Sequence, residues 1–397
     1  MAIMNFSLLA AISSIWKPII SLLQRMNDGI GNFGWTVVVF SIMLRLLLLP
    51  LDVWQKLIMR KQKAKMDALR PQLEKIQKQY ANRPDLLKQK QYELQKGSMS
   101  IFTSCLPMIV TLVIFYVVFQ GFRQYIVQYN QEQLIKLYNV YVEFFKNPEY
   151  VDQILAAYNT GLPADKIIST YLDPNTATGF IDGFMPSYSY IRDAGLIDEL
   201  NKTLVAKYPI ESWLWVKNVF MSDTWANVIP SVENFTSTRF GGVGATVPDA
   251  IGISVSYEQL MNPIMDSYNK KSFWDIKHWN GYLILPILSI GTSFLSTTLQ
   301  QKMQPTQVTG DEAQQKQQRI MNKTMTYMMP LILGIFAIMY SAAFAIYYFV
   351  SNFMTMSTSL IFNLIIKKVD KKKENQPIII QKNPAAKPNK KSNKAKR

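Results

Sequence analysis

The sequence predicts an all-α, polytopic membrane protein with five spans, a cytoplasmic helical hairpin and a mostly helical extracytoplasmic insertion. Two observations lead there. Apolar residues are segregated into long runs free of Asp, Glu and Lys at 34–51, 101–122, 281–299 and 326–366. The connections between those runs alternate in charge, as topology requires when Lys and Arg stay on the cytoplasmic side.

The last apolar run is about twice the ~20 residues needed to cross a bilayer, so it divides into two spans, 326–341 and 343–366, with a tight reversal near MYSAA at 339–343. Residues 52–100 carry 12 basic and 5 acidic side chains, 300–325 carry 4 and 2, and 366–397 carry 12 and 2. Residues 124–280 carry 11 basic and 17 acidic. The expected layout is then an extracytoplasmic segment 1–33, a span at 34–51, the cytoplasmic hairpin 52–100 and a span at 101–122. An extracytoplasmic accessory region 123–280, the span 281–299 and the cytoplasmic loop 300–325 follow. The two last spans lead into a basic cytoplasmic tail, 367–397. This layout puts the N-terminus outside and the C-terminus in the cytoplasm.

The first residues, MAIMNFSLLAAISS, have an apolar core without a basic start and read as an uncleaved segment rather than a signal peptide. Cys105 is the only cysteine, so no intramolecular disulfide holds the accessory region. Helical signals there include LPADKIISTYL at 162–172 and YIRDAGLIDELNKTL at 190–204. GGVGATVP at 241–248 lacks the lysine of a phosphate loop and reads as a surface loop.

After the first span, Met66, Leu69, Leu73, Ile76 and Tyr80 recur at helical spacing, NRPD at 82–85 makes a turn, and Leu86, Leu87 and Leu94 form a second stripe. That is an antiparallel helical hairpin, with Pro71 a possible kink in its first arm. The tail from Lys367 has no apolar periodicity; its charge suits anionic headgroups or RNA phosphates, and composition does not separate the two.

Catalytic and metal chemistry inside the bilayer lacks its side chains. The one histidine, His278, sits at the edge of the third span, and no carboxylate falls within the expected spans. No catalytic residue, metal ligand or cofactor is expected, and a proton-coupled transporter loses its relay groups. What remains is Arg45, a cation in the run SIMLRLLLLPLDVWQK at 41–56. It either snorkels toward Asp52, about 10 Å along the helix, or meets oxygen atoms in a hydrated cavity. The polar residues of the other spans supply such a lining: Thr103, Ser104, Thr111 and Gln120; Ser289, Thr292, Ser293, Thr297 and Thr298; and Ser351, Asn352, Thr355 and Ser357. Singly these are ordinary helix-packing groups. Gathered around one arginine they make a charged, hydrated cavity that shortens the apolar path for a polar segment of another polypeptide. A solute channel with Arg45 as its selectivity charge and a non-catalytic assembly partner of membrane complexes are the competing classes.

GWTVVVFSIMLRLLLLPL (34–51), KMDALRPQLEKIQKQY (65–80), SCLPMIVTLVIF (104–115), YLILPILSIGTSFLSTTLQQKM (282–303) and TYMMPLILGIFAIMYSAAFAIYYFVSN (326–352) together resemble the YidC/Oxa membrane protein insertases, in that family's order and spacing. The resemblance implies five core helices around a groove open to the cytoplasm and lipid, with Arg45 as its arginine. In that reading Arg45, Thr103, Thr111, Gln120, Ser289, Thr292, Ser293, Asn352 and Thr355 line the substrate groove. Met66, Leu69, Leu73, Ile76 and Leu87 belong to the substrate-capturing hairpin. It also implies nascent membrane proteins, the lipid bilayer, the ribosome and the Sec translocon as partners. The sequence departs from the family's usual pattern at Met99, Ser100, Thr103, Ser104, Thr111, Val113, Ala343 and Tyr348. WLWVKNVFMSDTW at 213–225 resembles the family's segment just before the third span, but about fifty residues separate it from that span here.

Overall fold

The computed structural model describes residues 16–80, 82–95, 101–159, 187–239, 241–249, 251, 255–301 and 312–374. The segment 1–14, the helix signal at 162–172, Met99, Ser100 and most of the basic tail lie outside the described residues. The described residues are helical, with no strand among them beyond an isolated bridge between Trp213 and Val216.

Helix α1 (Lys17–Ile30) begins with a proline in its first turn and ends at Gly31, whose φ of 75° turns the chain and lets its N–H bond Asn27 O. Ile19, Ile20, Leu23 and Met26 make its apolar face, and Leu23 is completely buried. Asn32 caps α2 (Phe33–Gln79) by accepting from the Trp35 N–H. This helix carries Pro50 and Pro71 inside it, and its 47 residues extend about 70 Å. That is more than twice the ~30 Å thickness of a bilayer core. Its apolar stretch, Phe33–Lys61, is long enough to span and reaches past the expected 34–51 to include Asp52 and Lys56.

α3 (Pro84–Gln95) folds back on α2, with Leu73 and Leu87 buried where the two arms meet, while Leu69 and Ile76 are half-buried. The side chain of Met66 lies outside the described residues. α4 (Ile101–Phe144), 44 residues, is also longer than the ~20 residues one crossing needs, and its C-terminal half leads into residues 123–280. There it packs on α7 (Ile197–Lys207) and α9 (Tyr257–Tyr268), joined by the shorter helices α5 (Val151–Asn159), α6 (Tyr188–Asp193) and α8 (Val232–Thr236).

α10 (Ile284–Gln301), α11 (Glu312–Met339) and α12 (Ala342–Glu374) complete the chain, with the reversal between α11 and α12 falling at residues 340–341. α12 packs on both α10 and α2. Ala342, Ala343 and Ala345 are completely buried, and such small side chains let helix backbones approach closely. Gly334 serves the same purpose between α11 and α10, because a Cβ there would overlap Ile290. Rings knit α4 to its neighbours: Phe40 meets Phe122 at 5.5 Å, Phe122 meets Tyr347 at 5.5 Å, and Phe119 meets Phe344 at 5.3 Å. Ala342–Val369 is the second stretch long and apolar enough to span, and Thr326–Met339 is apolar but shorter. The faces of these helices turned away from the bundle are apolar, as at Leu47, Ile287, Ile335 and Leu364, which suits a lipid surround.

Candidate functional site around Arg45

Arg45 sits half-buried on α2, facing α12. Its Nε donates to Ser351 Oγ at 2.6 Å, and Tyr347, one turn earlier on α12, also bonds Ser351. Among the described residues no carboxylate lies within ion-pair distance of the guanidinium. Among the described residues the cation is thus held by one neutral oxygen.

Asn352 follows Ser351 on α12, one turn after Tyr348, and its Nδ2 is buried without a hydrogen-bond partner among the described residues. Thr355 spends its hydroxyl on the Ser351 carbonyl of its own helix. Ser289 and Ser293 are buried in the seam between α10 and α12: Ser289 donates to Ala345 O at 3.2 Å, and Ser293 pairs with Tyr348 Oη at 2.8 Å. Both weld helices together. Thr292 bonds the backbone of its own helix at Leu288. Gln120 is half-buried on α4 and is not a partner of Arg45 among the described residues, and the side chains of Thr103 and Thr111 lie outside them. The structure therefore joins Arg45 to Ser351 and Tyr347, and assigns Ser289 and Ser293, with Tyr348, to the adjoining seam.

Two turns beyond Arg45 the same two helices are tied again. Lys56, 2% exposed, donates to Asp52 Oδ2 at 2.5 Å and to Thr358 Oγ1 at 3.2 Å, and the Thr358 hydroxyl bonds Asp52 in turn. A buried ammonium needs such a partner set, because desolvation of an unpaired charge costs several kcal/mol. Sequence reasoning missed this latch: Asp52 and Lys56 look like the start of a solvated helix, and only the distant Thr358 shows otherwise.

At the opposite end, the segment 213–229 closes over the helix N-termini. Asp223, completely buried, accepts from the backbone N–H groups of Tyr282 at 2.8 Å and Leu285 at 2.7 Å, where α10 starts. A carboxylate at a helix N-terminus satisfies orphan donors and complements the dipole. Ala342 and Ala343, opening α12, donate to Met221 O and Val219 O. Asn218 and Asn280 exchange backbone and side-chain bonds at 2.8–3.0 Å. The fifty residues between WLWVKNVFMSDTW and the third span are thus an excursion that leaves and returns to one point, so the segment still abuts α10.

The family model described as 60Kd inner membrane protein matches residues 25–179 and 205–371. A membrane protein insertase YidC from Caldanaerobacter subterraneus is 26% identical over 44% of this chain and 81% of its own length. The insertase YidC of Fusobacterium nucleatum is 34% identical over 27% of this chain and 50% of its own, and that of Leptospira interrogans 34% over 28% and 17%. The chain therefore spans half or less of two of these relatives. With the family model covering most of its residues, the chain belongs to the 60Kd inner membrane protein family, the YidC/Oxa insertases that its apolar words resemble.

Proposed function

We propose that this protein inserts newly made membrane proteins into a bacterial inner membrane, with Arg45 as the fixed charge that receives the polar part of a substrate. Family membership supports membrane protein insertion as the activity. The observation that carries the role of Arg45 is that, among the described residues, its one hydrogen-bond partner is neutral: a guanidinium held by Ser351 keeps donors for water and for an incoming acidic or polar segment. A hydrated, charged pocket part-way through the apolar layer reduces the distance over which a polar segment is desolvated.

In this reading α2, α4, α10, α11 and α12 form a five-helix core, with the accessory region outside and the α2–α3 hairpin in the cytoplasm. The hairpin captures substrates through Leu69, Leu73, Ile76 and Leu87, and the basic tail contacts the ribosome or lipid headgroups. Cooperation with the Sec translocon belongs to the same proposal. The bonds from 213–229 to the starts of α10 and α12 support a cavity closed on the accessory side, which favours insertion over a solute channel open at both ends.

The test is a substrate panel in liposomes containing the purified chain, with translocated segments of different charge. Arg45→Ala is expected to reduce insertion of substrates with charged translocated segments several-fold more than that of uncharged ones. Equal loss across the panel would make Arg45 a structural residue.

A further inference from the structure

Away from Arg45, a cavity of about 650 Å³ lies between α1, the C-terminal half of α4 and the stretch Lys207–Glu211 that follows α7. Its walls carry Arg25, Lys136 and Lys207 against Asp28, Glu132 and Glu211. Among the described residues these six charges form no ion pair with one another. Glu211 is instead fixed by the Tyr129 hydroxyl and the Phe33 N–H, both at 3.1 Å. Gln133, 6% exposed, stands in the wall with its carboxamide oxygen unpartnered. A buried acceptor without a donor costs about 1–3 kcal/mol, and the loose terminal torsion of Gln allows its amide to turn toward an occupant.

We infer that this cavity binds a short, polar, net-neutral stretch of polypeptide. From Tyr125 to Val140 the cavity follows α4 for about 22 Å, the length of about six extended residues. The volume falls in the range of about 300–1,000 Å³ that suits a compact ligand of that size. Three cations facing three anions give an anionic lipid headgroup no net attraction. Sugar rings favour open aromatic faces, and here one face of Tyr125 is taken by Phe33 at 4.5 Å and one of Tyr129 by Phe220 at 4.5 Å. A peptide offers N–H groups to Gln133, Glu132 and Asp28 and carbonyls to Lys136 and Arg25. That the segment is the translocated part of a substrate, arriving next to Phe33 where α2 begins, rests on the insertase reading; binding itself does not.

The experiment uses the full chain in phosphatidylcholine nanodiscs and an end-blocked, fluorescein-labelled hexapeptide, Ser-Gln-Lys-Asn-Glu-Thr, followed by anisotropy. Saturable binding is expected, weakened at least fivefold by Gln133→Leu and abolished by Val140→Trp, which fills the outer end. Gln133→Leu removes an unsatisfied buried atom, so it keeps the fold, and thermal unfolding of both variants verifies that. Absence of saturable binding, equal binding by Val140→Trp, or displacement by glycerophosphoglycerol at lower concentration than by unlabelled peptide would overturn the inference. Insertion is assayed on the same samples: insertion without peptide binding defeats this inference alone, and binding without insertion defeats the insertase reading alone.

Discussion

Arg45 and Ser351 stand 306 residues apart in sequence and meet at 2.6 Å, Nε to Oγ, across the seam between the first and last long apolar helices. The bond fixes where the cation points without neutralising it. Ser351→Ala should therefore leave most of the insertion activity, because the charge survives, whereas Arg45→Ala should lower insertion of charged substrates on the order of tenfold, about 1.4 kcal/mol. Protease protection of substrate loops compares the two. Equal loss in both variants would mean that the bond, rather than the charge, matters.

The latch below that bond makes an asymmetric prediction. Asp52→Ala leaves Lys56 buried and unpaired and should cost about 3 kcal/mol, whereas Lys56→Met replaces the ammonium by an apolar chain of similar length and should be close to neutral. Thermal unfolding in detergent reads the difference. Equal midpoints for the two variants would show that Lys56 reaches water.

Gly281 lies against Asp223, and a Cβ there would overlap the carboxylate that holds the start of α10. Gly281→Ala should destabilise by about 1–3 kcal/mol through overpacking. It should also expose segment 213–229 to protease before the hairpin is cut. Wild-type cleavage order would contradict the assignment of that segment as a seal.

Burial pushes the Tyr257 phenol well above its ordinary value of 10, and its hydroxyl donates to Pro230 O at 3.0 Å. A raised folded-state value means that its contribution is fully present below pH ~10 and is lost as pH climbs above it, because the unfolded phenol ionises first. The accessory region should then lose stability steeply above pH 10, with tyrosinate absorbance rising together with unfolding. Tyr257→Phe should lower stability at pH 8 by about 1 kcal/mol and make the alkaline loss shallower. The slope flattens only in part, because burial also raises Tyr125, Tyr129 and Tyr141.

Much of this was readable in the sequence because it depends on local pattern. The apolar runs mark the long helices, the spacing of Leu69, Leu73 and Ile76 marks the hairpin arm that buries Leu73 against Leu87, and MYSAA marks the reversal before Ala342. Helix α1 was missed although Ile19, Ile20, Leu23 and Met26 follow helical spacing and Pro18 opens it; a short amphipathic stretch beside an apolar N-terminus drew the eye to the terminus instead. The latch, the Asn218–Asn280 pair and the role of Ser289 and Ser293 depend on partners tens to hundreds of residues away. A hydroxyl on a span looks the same in sequence whether it lines water or joins two helices, and only the geometry separates Ser351 from Ser293.

The most direct measurement is protease protection of a newly translated two-span protein supplied to liposomes containing only this purified chain, beside empty liposomes and the Arg45→Ala variant. The account predicts protection well above empty liposomes that falls several-fold with Arg45→Ala. Protection equal to that of empty liposomes, under conditions where an insertase of known activity succeeds, would contradict it.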